Sequence, residues 1–289
     1  MLDLNIYKSN DENAWCPGCG NFGILIALKE ALAELSLKPE DIVMVSGIGQ
    51  AAKTPHYIKA NGFNGLHGRA LPPAQAIKMV NKNLKVIVTS GDGDSYGEGG
   101  NHFIHCIRRN VDMLHMVHNN QIYGLTKGQG SPTTGKGHVT SMQFEGVYVE
   151  PLNPIALAIS AGATFVARSF SGDKVHLKEM IKAAINHKGY ALLDVMQPCV
   201  VFNKINTFKW YKDRIYKLDD SYDSSSKFNA LEKAEEFGDE GIPIGIIYED
   251  KTKKSYDELH PVLNSGLNLI DRKWEPKDTE KLIDEFLFN

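Results

Sequence analysis

Cysteine is scarce in this chain: four among 289 residues, too few for a disulfide scaffold in a sequence of that length. Long apolar runs are missing as well. No stretch approaches the roughly 20 apolar residues needed to span a bilayer, and residues 1–10 lack the apolar segment of a secretion signal. Excess positive charge is absent too. The formal net charge is -3, which gives no broad field of the kind that non-specific nucleic-acid binding needs. These absences predict a soluble, cytoplasmic protein with no membrane and no nucleic-acid partner. Two of the four cysteines stand as Cys16-Pro17-Gly18-Cys19, a spacing that suits metal or redox chemistry.

What is present is an alternation of helical and strand patterns. Phe22, Ile24, Leu25, Ile26, Leu28, Leu32 and Leu35 recur at helical spacing, so a helix is predicted to start just after Cys19 and end before Pro39. Residues 41–47 (DIVMVSG) and 85–90 (KVIVTS) are short, nearly unbroken apolar runs that read as buried parallel strands. Residues 113–118 (MLHMVH) and 190–196 (YALLDVM) read likewise. Helical segments are expected at 73–81, 100–109, 154–161 and 174–187. This order predicts an α/β fold with a doubly wound, mostly parallel sheet, whose ligands sit at the carboxyl ends of the strands. A first domain covers residues 1–201. The pattern weakens from Phe202 onward, and residues 202–289, with a last apolar run at 241–248 (GIPIGIIY), form a C-terminal extension packed on the core or on a partner subunit.

Two polar groups fall at predicted strand ends. Gly91-Asp92-Gly93-Asp94 follows KVIVTS, and Asn119-Asn120-Gln121-Ile122-Tyr123-Gly124 follows MLHMVH. Either motif alone reads as a turn. Adjacent parallel strands, however, can set a carboxylate beside an amide oxygen, the hard donor set that Mg2+ prefers. The glycines would let backbone N–H groups approach phosphate, and a helix opening at residues 97–101 would offer its positive end to a diphosphate.

Together the two motifs resemble the thiamine diphosphate signature. The resemblance implies that Asp92, the Asn120 side chain and the Ile122 carbonyl hold Mg2+. It places Gly49, His67, Gly91, Gly93, Asp94, Tyr123, Gly124, Leu125 and Thr126 around the cofactor.

A wider set of segments carries the likeness further: CPGCGNFGIL near the start, SGIG at 46–49, HGRALPPAQAIK at 67–78, GDGDSYGEGGNHFIHCIRRN, HNNQIYGLTKGQGSPTT, and QPCVVFN at 197–203. These look like the β subunit of 2-oxoacid:ferredoxin oxidoreductases. The resemblance implies a thiamine diphosphate-binding fold and oxidative decarboxylation of a 2-oxoacid, pyruvate or 2-oxoglutarate, with coenzyme A and ferredoxin. It also implies an α subunit, on which the glutamate that activates the aminopyrimidine is expected. His67 is then placed near the diphosphate or the substrate, and Lys53 faces the 2-oxoacid or the cofactor, the alternative being a solvated loop lysine. Lys127, in TKGQ, is a second cation suited to the distal carboxylate of 2-oxoglutarate. His102 and His105 read as packing residues or as contacts between subunits, and Cys106 as a buried small apolar side chain.

Cys16, Cys19 and Cys199 match three of the four thiolates that hold a 4Fe-4S cluster in the family. Where a fourth cysteine is expected, after Gly49, this chain has Gln50. Zn2+ binding, or thiols left over in a packed loop, are the alternatives for these cysteines. The matching alternative function is a non-redox thiamine diphosphate-dependent 2-oxoacid decarboxylase. A nucleotide-phosphate binding module with a Zn2+ clip is a third, non-enzymatic reading.

Overall fold

The computed structural model describes residues 2–273 and 276–287. Eight strands form one sheet: β1 (Ile42–Ser46), β2 (Asn61–Asn64), β3 (Lys85–Gly91), β4 (Met113–Asn119), β5 (Phe165–Phe170), β6 (Tyr190–Met196), β7 (Ile215–Lys217) and β8 (Ile242–Glu249). Their order is β2-β1-β3-β4-β6-β5-β8-β7. The first six are mutually parallel, and β8 runs antiparallel to β5. The expected doubly wound, mostly parallel sheet is therefore the observed one.

The near-continuous apolar runs have a plain cause: both faces of the sheet are covered, so successive side chains are buried alternately on opposite sides. Met44, Ile87 and Leu193 pack with α1 (Asn21–Glu34) on one face. Val45, Val88 and Leu192 pack on the other, where α2 (Leu71–Val80), α3 (Gly100–Arg109) and α4 (Pro154–Ser160) lie. The helix α5 (Lys174–Asn186) runs beside α1, and Glu34 ties the two together by accepting from Lys178 at 2.6 Å and Lys182 at 2.7 Å. Cys106 is fully buried on α3, as its apolar neighbours predict.

Three strands escape the sequence patterns. β2 (NGFN) is exposed throughout and carries no apolar run. β7 has three residues. β5 (FVARSF) is wholly buried, yet Arg168 stands at its centre and breaks the hydrophobic signal. Residues 202–287 add α6 (Phe208–Lys212) and α7 (Lys227–Glu235) and contribute β7 and β8 to the same sheet. Among the described residues no helix is long and apolar enough to cross a membrane.

Candidate functional site

The carboxyl ends of β1, β3 and β4 open into one cavity of about 70 Å3. Its wall contains every residue assigned to the cofactor from the sequence: Gly49, His67, Gly91, Asp92, Gly93, Asp94, Asn120, Ile122, Tyr123, Gly124, Leu125 and Thr126. Gln50 and His118 line it as well. Residues far apart in sequence meet here because parallel strands end on the same edge of the sheet.

Asp92 is almost completely buried, and burial pushes its carboxyl above the usual carboxylate range. One oxygen, Oδ2, accepts from Ser131 Oγ at 2.5 Å and from Thr133 Oγ1 at 2.6 Å. The backbone N–H groups of Asp92 and Gly93 also act on this carboxyl and lower it. Ser131 and Thr133 belong to the long connection after β4, and nothing in their local sequence announces this contact across some forty residues.

Asp94 has a different task. Its Oδ1 accepts from the Gly68 N–H at 2.7 Å and the Ile48 N–H at 3.1 Å, and His67 Nδ1 lies 3.4 Å away. The carboxylate thus clamps the turn after β1 to the His67-Gly68 turn. A Cβ on Gly47 would stand 2.2 Å from this carboxylate, so the clamp needs glycine there.

Gly93 also has a cause other than the one read from sequence. A Cβ on it would fall 2.1 Å from Tyr123 Cε1, so the glycine makes room for the Tyr123 ring. Burial raises the Tyr123 hydroxyl to about 12, which keeps it protonated at neutral pH. The helix expected to open at residues 97–101 begins earlier: a wide π-type turn runs from Gly93 to Glu98, directly after Asp92, and only then does α3 start. The backbone at the cavity is therefore the Gly93 end of that turn, and residues 97–101 do not line it.

The segment after β4 is strapped from three sides. Asn203 Nδ2 donates to the Asn120 carbonyl at 3.1 Å, Thr134 Oγ1 to the Gln121 carbonyl at 2.6 Å, and Gln121 Nε2 to the Thr133 carbonyl at 3.0 Å. Gln121 itself takes a left-handed backbone, φ 58°, a conformation that a side chain adopts only when its surroundings hold it there. Asn120 Oδ1 accepts from the Ile122 N–H at 3.0 Å.

His118 was missed from the sequence, where it reads as the last residue of a strand. It is buried, and burial lowers its ring to about 3, so it is neutral. Nδ1 meets Asn21 Oδ1 at 2.8 Å, while Nε2 is buried without a partner in the wall of the cavity. A buried, unpaired ring nitrogen beside two buried carboxyl groups suits a site that a cation and a polar ligand complete.

Lys53 sits half-buried on the short helix Ala51–Tyr57 and does not line the cavity. Lys127 is exposed with φ 81° and also lies outside it.

Cys16, Cys19 and Cys199 line a second, smaller cavity of about 40 Å3 together with Gln50. The Cys19 thiol is pushed up to about 11, first by burial and further by the neighbouring Cys199 and Cys16. Gln50 Oε1 is buried and has no hydrogen-bond donor, while the Gln50 carbonyl accepts from Trp15 Nε1 at 2.8 Å. Among the described residues no three His, Cys, Asp or Glu side chains close round a point where one metal ion could sit. Gln50, Asn120 and Gly124 line both cavities, so the two are neighbours.

A family model described as the thiamine pyrophosphate enzyme C-terminal TPP-binding domain matches residues 43–195. A second, described as the C terminal of the pyruvate ferredoxin oxidoreductase beta subunit, matches residues 199–265. The chain is 50% identical over 264 residues to subunit beta of 2-oxoacid:ferredoxin oxidoreductase 1 of Aeropyrum pernix, covering 87% of this chain and 82% of that one. It is 49% identical over 259 residues to the 2-oxoacid:ferredoxin oxidoreductase subunit beta of Saccharolobus solfataricus, covering 85% of each. Among solved structures, a 2-oxoglutarate:ferredoxin oxidoreductase from Magnetococcus marinus with 2-oxoglutarate, coenzyme A and succinyl-CoA bound matches with a TM-score of 0.90. It is 33% identical and covers 98% of this chain and 96% of that one.

Proposed function

The chain belongs to the β subunits of the 2-oxoacid:ferredoxin oxidoreductases, and from that premise we propose that the cavity at the ends of β1, β3 and β4 holds the diphosphate end of thiamine diphosphate through Mg2+. The observation that carries this reading is the convergence of Asp92, Asn120 and Ile122 with His67 and Gly93 in one wall. In the proposal Asp92 Oδ1, Asn120 Oδ1 and the Ile122 carbonyl are the metal's protein ligands, and Ser131 and Thr133 hold Asp92 in place. When bound, the cofactor supplies the carbanion chemistry that decarboxylates a 2-oxoacid. Asp94 fixes the two glycine turns that frame the site, and Tyr123 excludes water from its floor.

A cavity of about 70 Å3 is too small for the whole cofactor, which fits a site completed by the α subunit. The connection after β4 supports the same partnership: Val139, Met142, Phe144, Tyr148 and Val149 are all more than 60% exposed, an apolar surface of the kind that marks a protein interface. Residues 202–289 are read as the C-terminal extension of the cofactor-binding domain.

Cys16, Cys19 and Cys199 are proposed to hold a 4Fe-4S cluster, with Gln50 Oε1 facing the fourth position. The three thiols share one cavity wall with Gln50, where each can hold a different iron of a cluster. The shared wall of the two cavities gives electrons a short path from cofactor to cluster, and this favours the redox reaction over simple decarboxylation. Ferredoxin is the proposed acceptor, and coenzyme A the proposed acyl acceptor.

The test is iron and acid-labile sulfide, with an electron paramagnetic resonance spectrum after reduction, on the anaerobically purified αβ complex. About four of each per β chain, with a reduced-cluster signal, is expected. Bound thiamine diphosphate and Mg2+ without iron would turn the assignment to the non-redox decarboxylase. For the substrate, 2-oxoglutarate is proposed, as bound in the Magnetococcus marinus relative, with Lys127 reaching its distal carboxylate from outside the cavity wall; Lys53, off that wall, is read as a loop lysine. The Lys127→Gly variant is expected to lower the 2-oxoglutarate to pyruvate rate ratio, and an unchanged ratio removes Lys127 from the site.

A further inference from the structure

Away from the cofactor site, a larger cavity of about 460 Å3 opens between α4, α7 and the connection after β4. Arg168 of β5 lines it, 4% exposed. Burying a guanidinium is costly unless it is paired, and this one is poorly paired. Among the described residues the guanidinium makes one hydrogen bond, Nη1 to the Glu236 carbonyl at 3.3 Å, and Asp194 acts on it as a countercharge without a contact ion pair. The ring of Phe237 lies 5.8 Å away.

The nearest candidate, Asp194, is the register neighbour of Arg168 on β6 and is already engaged. It accepts from Tyr96 Oη at 2.7 Å and from Asn119 Nδ2 at 3.2 Å on both oxygens. Those donors are neutral, so Asp194 keeps its charge and offsets part of that on Arg168 from the same cavity wall, while the guanidinium N–H groups not bound to the Glu236 carbonyl face the cavity. Leu152, Ile155, Trp210 and Phe237 supply apolar walls. The volume lies within the range of roughly 300–1,000 Å3 typical of small-molecule sites.

We propose that this cavity is a second small-molecule site, which binds an amphipathic organic anion with its carboxylate or phosphate on Arg168 and its apolar body against Trp210 and Phe237. Burial in a low dielectric makes one well-placed guanidinium sufficient to select a planar or tetrahedral oxyanion over a neutral analogue. The two cavities share no lining residue, and Thr133, which lines this one, bonds Asp92 of the other.

The test is isothermal titration calorimetry on the αβ complex saturated with thiamine diphosphate and Mg2+. The probes are 3-phenylpropionate, phenyl phosphate and the neutral 3-phenylpropionamide. One site per β chain with Kd at or below about 1 mM is expected for at least one of the two acids. The amide is expected to bind at least about tenfold more weakly. Arg168→Met should weaken the acid by at least about tenfold. A second variant guards against misfolding of the first. Gly135 is exposed on the cavity wall and a Cβ there meets nothing within 4 Å, so Gly135→Phe adds bulk at the wall without a clash at its Cβ. It too should abolish binding. Whichever acid binds more tightly names the anion class, and either supports the site. Absence of saturation by both acids, equal binding of the amide, or unchanged affinity in Gly135→Phe overturns it. Thiamine diphosphate affinity, measured on the same preparations, reports on the cofactor site independently.

Discussion

Thr133→Val tests whether Asp92 is a metal ligand oriented by its neighbours. The substitution keeps the shape of a side chain that is 3% exposed and removes only its hydroxyl. That hydroxyl lies 2.6 Å from Asp92 Oδ2 and 3.0 Å from Asn119 Oδ1. It has one proton, and the nearer, anionic acceptor takes it. A hydrogen bond to a charged group contributes about 1.5–3 kcal/mol. Loss of an outer partner of a metal-ligating carboxylate typically costs on the order of 10–100-fold in metal affinity, or roughly 1.4–2.7 kcal/mol, so the two figures agree. Ser131 still holds Oδ2, which favours the lower half of that range. The direction with pH follows as well. The hydroxyl holds the Asp92 carboxyl down against the effect of burial, so its removal raises that group further and lets protons compete with the metal at higher pH. The assay is a Mg2+ titration of thiamine diphosphate binding to the αβ complex at several pH values. An affinity within about twofold of the parent, with an unchanged acid limb, would refute the assignment of Asp92 as an oriented ligand.

Gly93→Ala brings a methyl to 2.1 Å from the Tyr123 ring, and the forced displacement of the cavity floor is expected to lower kcat/KM on the order of 100-fold; steady-state kinetics with unchanged values would show that Tyr123 yields freely. Gln50→Cys puts a thiolate where a buried amide oxygen has no donor, and slower loss of iron from the purified complex in air is expected, measured by the decay of the cluster absorbance; identical decay would place Gln50 away from the cluster. His115 is buried against Ser90, Ser95 and Tyr190, and burial lowers its ring to about 3. The native state therefore binds fewer protons than the unfolded chain below about pH 6.5, so its contribution is present above that value and falls by about 2 kcal/mol by pH 5. Urea midpoints across that range should drop in the parent and drop less in His115→Gln, and parallel curves would show that His115 is not the titrating group.

The sheet and the cavity at its carboxyl edge were readable in the sequence for the same reason. A strand buried on both faces must be apolar along its whole length, so 41–47, 85–90, 113–118 and 190–196 stood out, and the polar residues that followed them had to lie at one edge. β5 did not stand out because Arg168 interrupts it, and that residue is buried where the sheet meets a cavity. Ser131 and Thr133 were unreadable because their partner, Asp92, is brought to them only by the path of a long connection. A second demand on Gly93 was unreadable for a related cause: that the Tyr123 ring needs the space of the missing Cβ is a matter of tertiary distance.

What the sequence showed by itself was hard oxygen donors at two strand ends and a Cys-x-x-Cys near the start; the third cysteine and the glutamine at the fourth position entered only through the family resemblance. Those depend on residue identity and on strand periodicity, both local properties. The tertiary structure decided that Ser131 and Thr133 hold one oxygen of Asp92, that Asp94 serves the backbone, that the cavity lined by the cysteines shares a wall with the one lined by Asp92, and that Arg168 and Asp194 line a third cavity. Each of these depends on contacts between residues tens of positions apart, whose distances are set only when the layers of the sheet and its helices close on one another.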